Sequence, residues 1–222
     1  EYMGPAWYQR EIEIPAAWKG KRIFLYFERT HWLSSVYVGK EEVSKIDYIS
    51  IPHNHELTQW LHPGKKELIT FCIDNRYQYD THKWDHAHSE FTQINWNGVL
   101  GEIKLVAVDP VYVDDMQVYP DIKNKSIKVK MTVRNCTEHT ASGKISFHVT
   151  GKDYRLQKEV PVTVTDSITY IEEEMFLGKD IHLWNEFHPN LYTLDCKLTS
   201  SVEGQSYAHE KSTTFGMREV ER

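Results

Sequence analysis

Nearly every apolar run in this sequence of 222 residues is short, rich in β-branched or aromatic residues, and closed by a turn former. Where the runs lengthen they alternate. Ile127, Val129, Met131 and Val133 take one parity, and Lys128, Lys130 and Thr132 take the other. That period of two puts one face of a strand in a core and the other in solvent. No stretch holds a 3.6-residue period for three turns, so amphipathic helices are not expected. A chain restricted to sheets must bury them against one another. The fold class that follows is all-β.

Strands are expected over residues 8–14, 22–28, 35–38, 67–74 and 102–108, with Pro63-Gly64 and Trp18-Lys19-Gly20-Lys21 as turns between them. A second series follows over 112–118, 126–134, 144–150, 155–164, 168–176, 191–200 and 206–213. Pro110 lacks the N–H a ladder needs and stands between two of these runs, which marks a domain junction near Asp109. Residues 1–109 then form a first domain and 110–214 a second, with 215–222 opening something further. Seven closely spaced strands suit an immunoglobulin-like β-sandwich. Fewer strands with one long irregular stretch, residues 76–98, suit a jelly-roll β-sandwich carrying one functional loop.

Charge and composition exclude several classes of function. Lys and Arg number 26 against 32 Asp and Glu, a net charge of −6, and the basic residues are scattered. Nucleic acid, which demands a concentrated cationic surface, is therefore not an expected partner. No apolar run approaches the roughly 18 residues of a membrane-spanning helix. The 7 Trp and 13 Tyr suit both sandwich cores and stacking on sugar rings. Cys136 and Cys196 are spaced as an inter-sheet disulfide can be, but strand parity turns their thiols to different faces. Cys72, amid Leu68-Ile69-Thr70-Phe71, reads as a small buried hydrophobe.

The closing run Phe215-Gly216-Met217-Arg218-Glu219-Val220 looks like the start of a strand with nothing behind it to pair with. It resembles the segment that leads family 2 glycoside hydrolases from their second β-domain into a catalytic barrel. Other segments carry the same resemblance in order. Gly4-Pro5-Ala6-Trp7-Tyr8-Gln9-Arg10 with Ile14-Pro15-Ala16-Ala17-Trp18 resembles the opening of the family's sugar-binding, galactose-binding-like jelly roll. Asn97-Gly98-Val99-Leu100-Gly101-Glu102-Ile103 resembles that domain's closing strand. Trp184-Asn185-Glu186-Phe187-His188-Pro189-Asn190-Leu191-Tyr192-Thr193-Leu194 resembles the Trp-x-x-x-x-Pro-x-Leu-Tyr-x-Leu signature of the second domain. The segment Gln93-Ile94-Asn95-Trp96-Asn97-Gly98 departs from the acidic version found in some β-galactosidases of the family, which leaves the sugar open.

The resemblance implies the N-terminal part of a retaining hydrolase of terminal β-glycosidic bonds, β-galactosidase-like first and β-glucuronidase-like second. Its partners would be a carbohydrate substrate, its own C-terminal barrel and, in an oligomer, further copies of itself. It implies no cofactor, and a periplasmic or secreted location. Two readings from other classes stay open: a stand-alone carbohydrate-binding module, and a structural pair of sandwiches that binds no sugar.

Residues 75–97 break the alternation and are nearly all polar or aromatic. Long irregular loops in compact domains are commonly functional, and in the resembling enzymes loops of this jelly roll help complete the pocket for the terminal sugar. By position Arg76, Asp80, His88, Gln93, Asn95 and Trp96 are the candidates, since sugar hydroxyls need paired donors and acceptors beside a flat apolar surface. The alternative is an inter-domain or dimer-facing loop without sugar contact. His82, His86 and His88 with Asp80 and Asp85 lack the regular backbone that would make them converge on a metal, as do His53 and His55.

No catalytic set is expected within the chain. A retaining glycosidase needs two carboxyls about 5–5.5 Å apart. Glu172, Glu173 and Glu174 are consecutive on a strand and point to alternating faces, so a charged sheet edge is the expectation there. Trp7, Trp18, Trp60 and Trp184 are read as packing residues. Tyr192 is expected to bury its ring while its hydroxyl bonds backbone.

Overall fold

The computed structural model describes residues 2–49, 51–76 and 97–219. The chain divides into two compact units, Glu1–Ala107 and Val108–Arg222, and both are built of antiparallel sheets. The all-β expectation holds.

The first unit contains β1 (Pro5–Glu13), β2 (Arg22–His31), β3 (Leu33–Val38), β4 (Glu41–Asp47), β5 (His53–Glu56), β6 (Lys66–Asp74) and β7 (Gly98–Val108). One sheet runs β1-β6-β3-β4 and the other β5-β2-β7. Their inner faces meet over Ile23, Leu25, Phe27, Val36, Ile69 and Ile73. Alternation drives this. In β2, Ile23, Leu25 and Phe27 are buried while Phe24 and Tyr26 are only half-buried. The turn expected at residues 18–21 lies between β1 and β2, directly after a short 3-10 segment, Ala16–Trp18.

Two strands of this unit were not legible in the sequence. β4 is Glu-Glu-Val-Ser-Lys-Ile-Asp, an outer strand whose charge suits a sheet edge more than it announces a strand. β5 is His-Asn-His-Glu, without one aliphatic side chain. It is a strand because His53 and His55 lie opposite Phe27 and Leu25 of β2 and enter the core with them, both at 0% exposure.

The second unit contains β8 (Val111–Asp121), β9 (Ser126–Asn135), β10 (Ala141–Gly151), β11 (Tyr154–Val164), β12 (Ile168–Phe176), β13 (Tyr192–Val202) and β14 (Gln205–Phe215). They split into β12-β9-β8 and β11-β10-β13-β14, the strand count of an immunoglobulin-like sandwich. The period-two pattern of β9 holds: Ile127, Val129, Met131 and Val133 are buried and Lys128 and Lys130 exposed. Leu194, Cys196 and Leu198 of β13 face them across the core. Cys196 donates weakly to Met131 Sδ at 3.6 Å, its thiol pushed up to about 12 by burial. Cys136 is exposed, and all three cysteines are free thiols.

The expected charged edge is present. β12 is the outer strand of its sheet. Glu172 pairs with Lys130 across the strand at 3.1 Å, Glu173 turns the other way to Lys158 of β11, and Glu174 accepts from Ser126 at 3.3 Å. Each carboxylate has its own partner, so they do not form a convergent pair.

Trp7 corrects the packing expectation. It is 59% exposed on the outer strand β1, with its ring 5.5 Å from that of Tyr37. Residue parity explains the outcome: Tyr8, itself 42% exposed, shares the face of Phe71 and stacks on it at 4.8 Å, which leaves Trp7 on the opposite face. Trp18, Trp60 and Trp184 are half-buried.

Candidate functional site

The candidate segment is anchored at described residues on both sides. Asn75, 8% exposed, follows the last residue of β6, and Asn97 immediately precedes β7. The Asn75 carboxamide makes three hydrogen bonds. Its Nδ2 donates to Asn97 Oδ1 at 2.6 Å and to the Tyr2 carbonyl at 2.8 Å, and its Oδ1 accepts from the Gly4 N–H at 2.8 Å. One buried side chain thus joins three stretches of backbone, and leaving such groups unmade costs about 1–3 kcal/mol each. A small cavity of about 200 Å³ opens beside it, lined by Tyr2, Gly4, Tyr8, His31, Asn97 and Gly98 among others.

Arg76 is the one sequence candidate inside the described residues. Its Nε donates to both oxygens of Asp74, at 2.9 and 3.0 Å, and its backbone N–H to Asp74 Oδ1 at 3.0 Å. The guanidinium holds the Asp74 carboxyl below its usual range. Arg76 stands 62% exposed in its side chain and Asp74 only 11%, so the pair presents a cationic fork anchored on a half-submerged carboxylate. Asp80, His88, Gln93, Asn95 and Trp96 lie outside the described residues, as do His82, Asp85 and His86. The structure therefore gives no juxtaposition of Arg76 with the other five. Among the described residues no group of three or more His, Cys, Asp or Glu side chains could hold a metal ion. Sequence reasoning passed over Asn75; an Asn directly after a strand is a turn former by type, and its partners are far away in sequence.

In the second unit the Trp184 motif builds a rigid loop. Asn185 Oδ1 accepts from the N–H groups of Phe187 and His188 at 3.0 and 2.8 Å, an Asx turn. Asn190 Nδ2 donates to the Leu183 carbonyl at 2.9 Å. Tyr192, 3% exposed, accepts from the His182 N–H at 2.9 Å through its hydroxyl, the backbone bond expected of it. The closing run is not unpaired: Leu183 bridges Met217 in parallel, and the Trp184 N–H donates to the Met217 carbonyl at 3.0 Å. Arg218 lies over the Trp184 ring at 4.6 Å. Gly216 is the contact that permits this, since a Cβ there would stand 2.9–3.0 Å from Trp184 atoms. The loop thereby holds Phe187 at 83% exposure and Leu191 at 58%, and Leu191 lines an open cleft of about 710 Å³.

Residues 111–218, which hold this whole arrangement, match the family model described as glycosyl hydrolases family 2. Over that part of its length the chain is similar to glycosyl hydrolases of family 2. The whole chain has relatives as well: it is 22% identical to a β-galactosidase of Thermoanaerobacter pseudethanolicus over 91% of this chain and 27% of that protein. It is 24% identical to a putative β-glucuronidase of Formosa agariphila over 98% of this chain and 20% of that one. With the β-glucuronidase of Sus scrofa it shares 22% identity over 99% of this chain and 36% of the relative. In fold it resembles the crystal structure of a family 2 member from Bacteroides cellulosilyticus, with a TM-score of 0.78 at 18% identity over 98% of this chain and 29% of that one. Bacteroides uniformis β-glucuronidase 2 also gives 0.78, at 17% identity over 97% and 26%. The chain thus spans between 20% and 36% of the length of the three relatives.

Proposed function

We propose that this chain is the non-catalytic N-terminal portion of a retaining glycoside hydrolase that acts on terminal β-glycosidic bonds, β-galactosidase-like before β-glucuronidase-like. The observation that carries the reading is the combination of nearly full coverage of this chain with coverage of at most 36% of those relatives, which are themselves glycosidases. The domain division is residues 1–109 as the jelly roll, 110–214 as the immunoglobulin-like sandwich and 215–222 as the lead into a barrel. In this division of labour the barrel supplies the acid/base and nucleophile glutamates. The chain supplies shape. Within the segment between Asn75 and Asn97, the contacts to the terminal sugar in this reading are Arg76, Asp80, His88, Gln93, Asn95 and Trp96. The rigid loop from Trp184 to Leu191 seats the barrel. Exposed Phe187 and Leu191 support that role, since apolar side chains held out on an ordered loop favour a covering partner.

The test is the full-length protein against aryl β-galactosides and β-glucuronides, beside the same protein with Gln93→Ala or Trp96→Ala. A loss of about tenfold or more in kcat/KM corresponds to at least about 1.4 kcal/mol of transition-state binding. That loss is expected of both variants, and unchanged kinetics would remove the segment from the pocket. Calorimetry of the 222-residue chain against mono- and oligosaccharides separates the binding-module alternative, which requires binding below millimolar without a barrel.

A further inference from the structure

The first unit contains a buried polar chain that its sequence does not advertise. Ser34 Oγ lies 2.6 Å from His53 Nδ1 and 2.8 Å from His55 Nε2. At the far ends, His53 Nε2 lies 2.7 Å from the Tyr48 carbonyl and His55 Nδ1 2.8 Å from Ser44 Oγ. Both imidazoles and Ser34 are at 0% exposure. Ser34 belongs to β3 and Ser44 to β4 of one sheet, whereas the histidines belong to β5 of the other. The chain is therefore a polar staple between the two sheets.

Its proton order has one solution. A carbonyl oxygen can only accept, so His53 must donate to Tyr48 from Nε2, and its Nδ1 is then the bare acceptor in a neutral ring. Ser34 donates to that Nδ1. The Ser34 oxygen is left to accept, and it accepts from His55 Nε2–H. His55 Nδ1 is then bare in turn and takes the Ser44 hydroxyl proton. Four hydrogen bonds run in one direction, through two neutral rings in the same tautomer. Adding a proton to His53 places an N–H against the Ser34 hydroxyl and forces Ser34 to face two donors. Adding one to His55 places an N–H against Ser44. Either event buries a charge and takes away the ring nitrogen to which the serine hydroxyl was donating, so that hydroxyl proton loses its acceptor.

We infer that the Ser44–His55–Ser34–His53–Tyr48 chain is an acid-sensitive latch, closed while both histidines are neutral and opening the β4/β5 edge of the first unit when they are protonated. The surroundings support this. Burial lowers the tendency of His55 to protonate to about 3, reinforced by His53 beside it, and the Phe27 ring packs edge-on at 5.4 Å. His53 is lowered by burial as well, opposed by the Tyr48 carbonyl and by the Asp47 carboxylate at the end of β4. Among the described residues Asp47 is the charged group acting on His53, and His53 the titratable group acting on His55.

The direction follows from proton counting. In the unfolded chain a histidine titrates near 6.5, so below that pH the open state binds protons that the closed state refuses. The latch is at full strength above about pH 6.5 and weakens as pH falls toward the folded values. Each histidine contributes up to roughly a tenfold loss in the closing equilibrium per pH unit in that window. The two together contribute up to about a hundredfold.

The test uses the whole chain and two readouts. Long-range proton–nitrogen NMR of the imidazoles should show both rings as neutral Nε2–H tautomers at pH 7 and His55 still neutral at pH 5. Amide protection of β4 and β5, corrected for intrinsic exchange, should fall by tenfold or more between pH 6.5 and 5. The same amides in a His53→Phe/His55→Leu variant should lose that dependence. His209 of the second unit is also lowered by burial, and restricting the readout to β4 and β5 keeps its contribution out. An Nδ1–H tautomer in either ring, His55 protonated at pH 5 in the folded chain, or flat wild-type protection would overturn the proposal. The NMR arm needs no variant, so misfolding of the double substitution would not rescue it.

Discussion

Gly216 lacks a side chain because Trp184 occupies the space, and the pair ties the last strand to the loop before β13. Its backbone is not in the left-handed region, so the constraint is close approach alone. Gly216→Ala should therefore act as overpacking, with a loss of about 1–3 kcal/mol. Urea unfolding reads it, and an unchanged midpoint would mean that Trp184 moves aside freely. Asn75→Ala removes three hydrogen bonds and leaves the Gly4 N–H, the Tyr2 carbonyl and Asn97 Oδ1 to find water. A loss of about 1–3 kcal/mol confined to the first unit is expected, measured by exchange protection of β1 and β6. Trp7→Ala should change stability by only about 0.5 kcal/mol, as surface substitutions do; a much larger loss would return Trp7 to the packing role that the sequence suggested. At this scale sequence reading succeeded where a residue's type allows one environment, as for Tyr192. It failed where two aromatic neighbours take opposite faces: only the register of β1 on β6 puts Tyr8 against Phe71 and Trp7 on the outer face.

Among the strands, legibility tracked aliphatic alternation. β9 carries it throughout, so its faces could be read before any coordinates, and Leu198 of β13, at 0% exposure, belongs to the same core. Leu198→Ala should cost about 2–5 kcal/mol, visible as a shift of the second unit's unfolding midpoint. A loss below about 1 kcal/mol would mean that the core collapses around the gap. β4 and β5 escaped notice for opposite reasons. β4 is a charged edge, and β5 buries imidazoles that pass for loop residues unless their partners Ser34 and Ser44 are known. Those partners are set by sheet packing, which no local window contains. The closing run was misread in the same way, since its partner Leu183 lies on a loop and the bridge is parallel.

For the molecule as a whole, order proved more informative than any one motif. The opening Trp-Tyr, the Asn-Gly before β7, the Trp184 motif and Phe-Gly-Met-Arg are each short, yet their sequence along the chain pointed to the family that residues 111–218 match. The sugar stayed illegible for a physical reason. Specificity rests on a few convergent donors and acceptors, and of the six candidates only Arg76 lies among the described residues, where it already holds Asp74. In the proposed division of labour, recognition and support belong to this chain and bond cleavage to a barrel. That division is tested most directly by assaying the 222-residue chain and the full-length protein side by side on aryl β-galactosides and β-glucuronides. The account predicts turnover with retained anomeric configuration by the full-length protein and none by the chain alone. Hydrolysis by the chain alone, or inversion by the full-length protein, would contradict it.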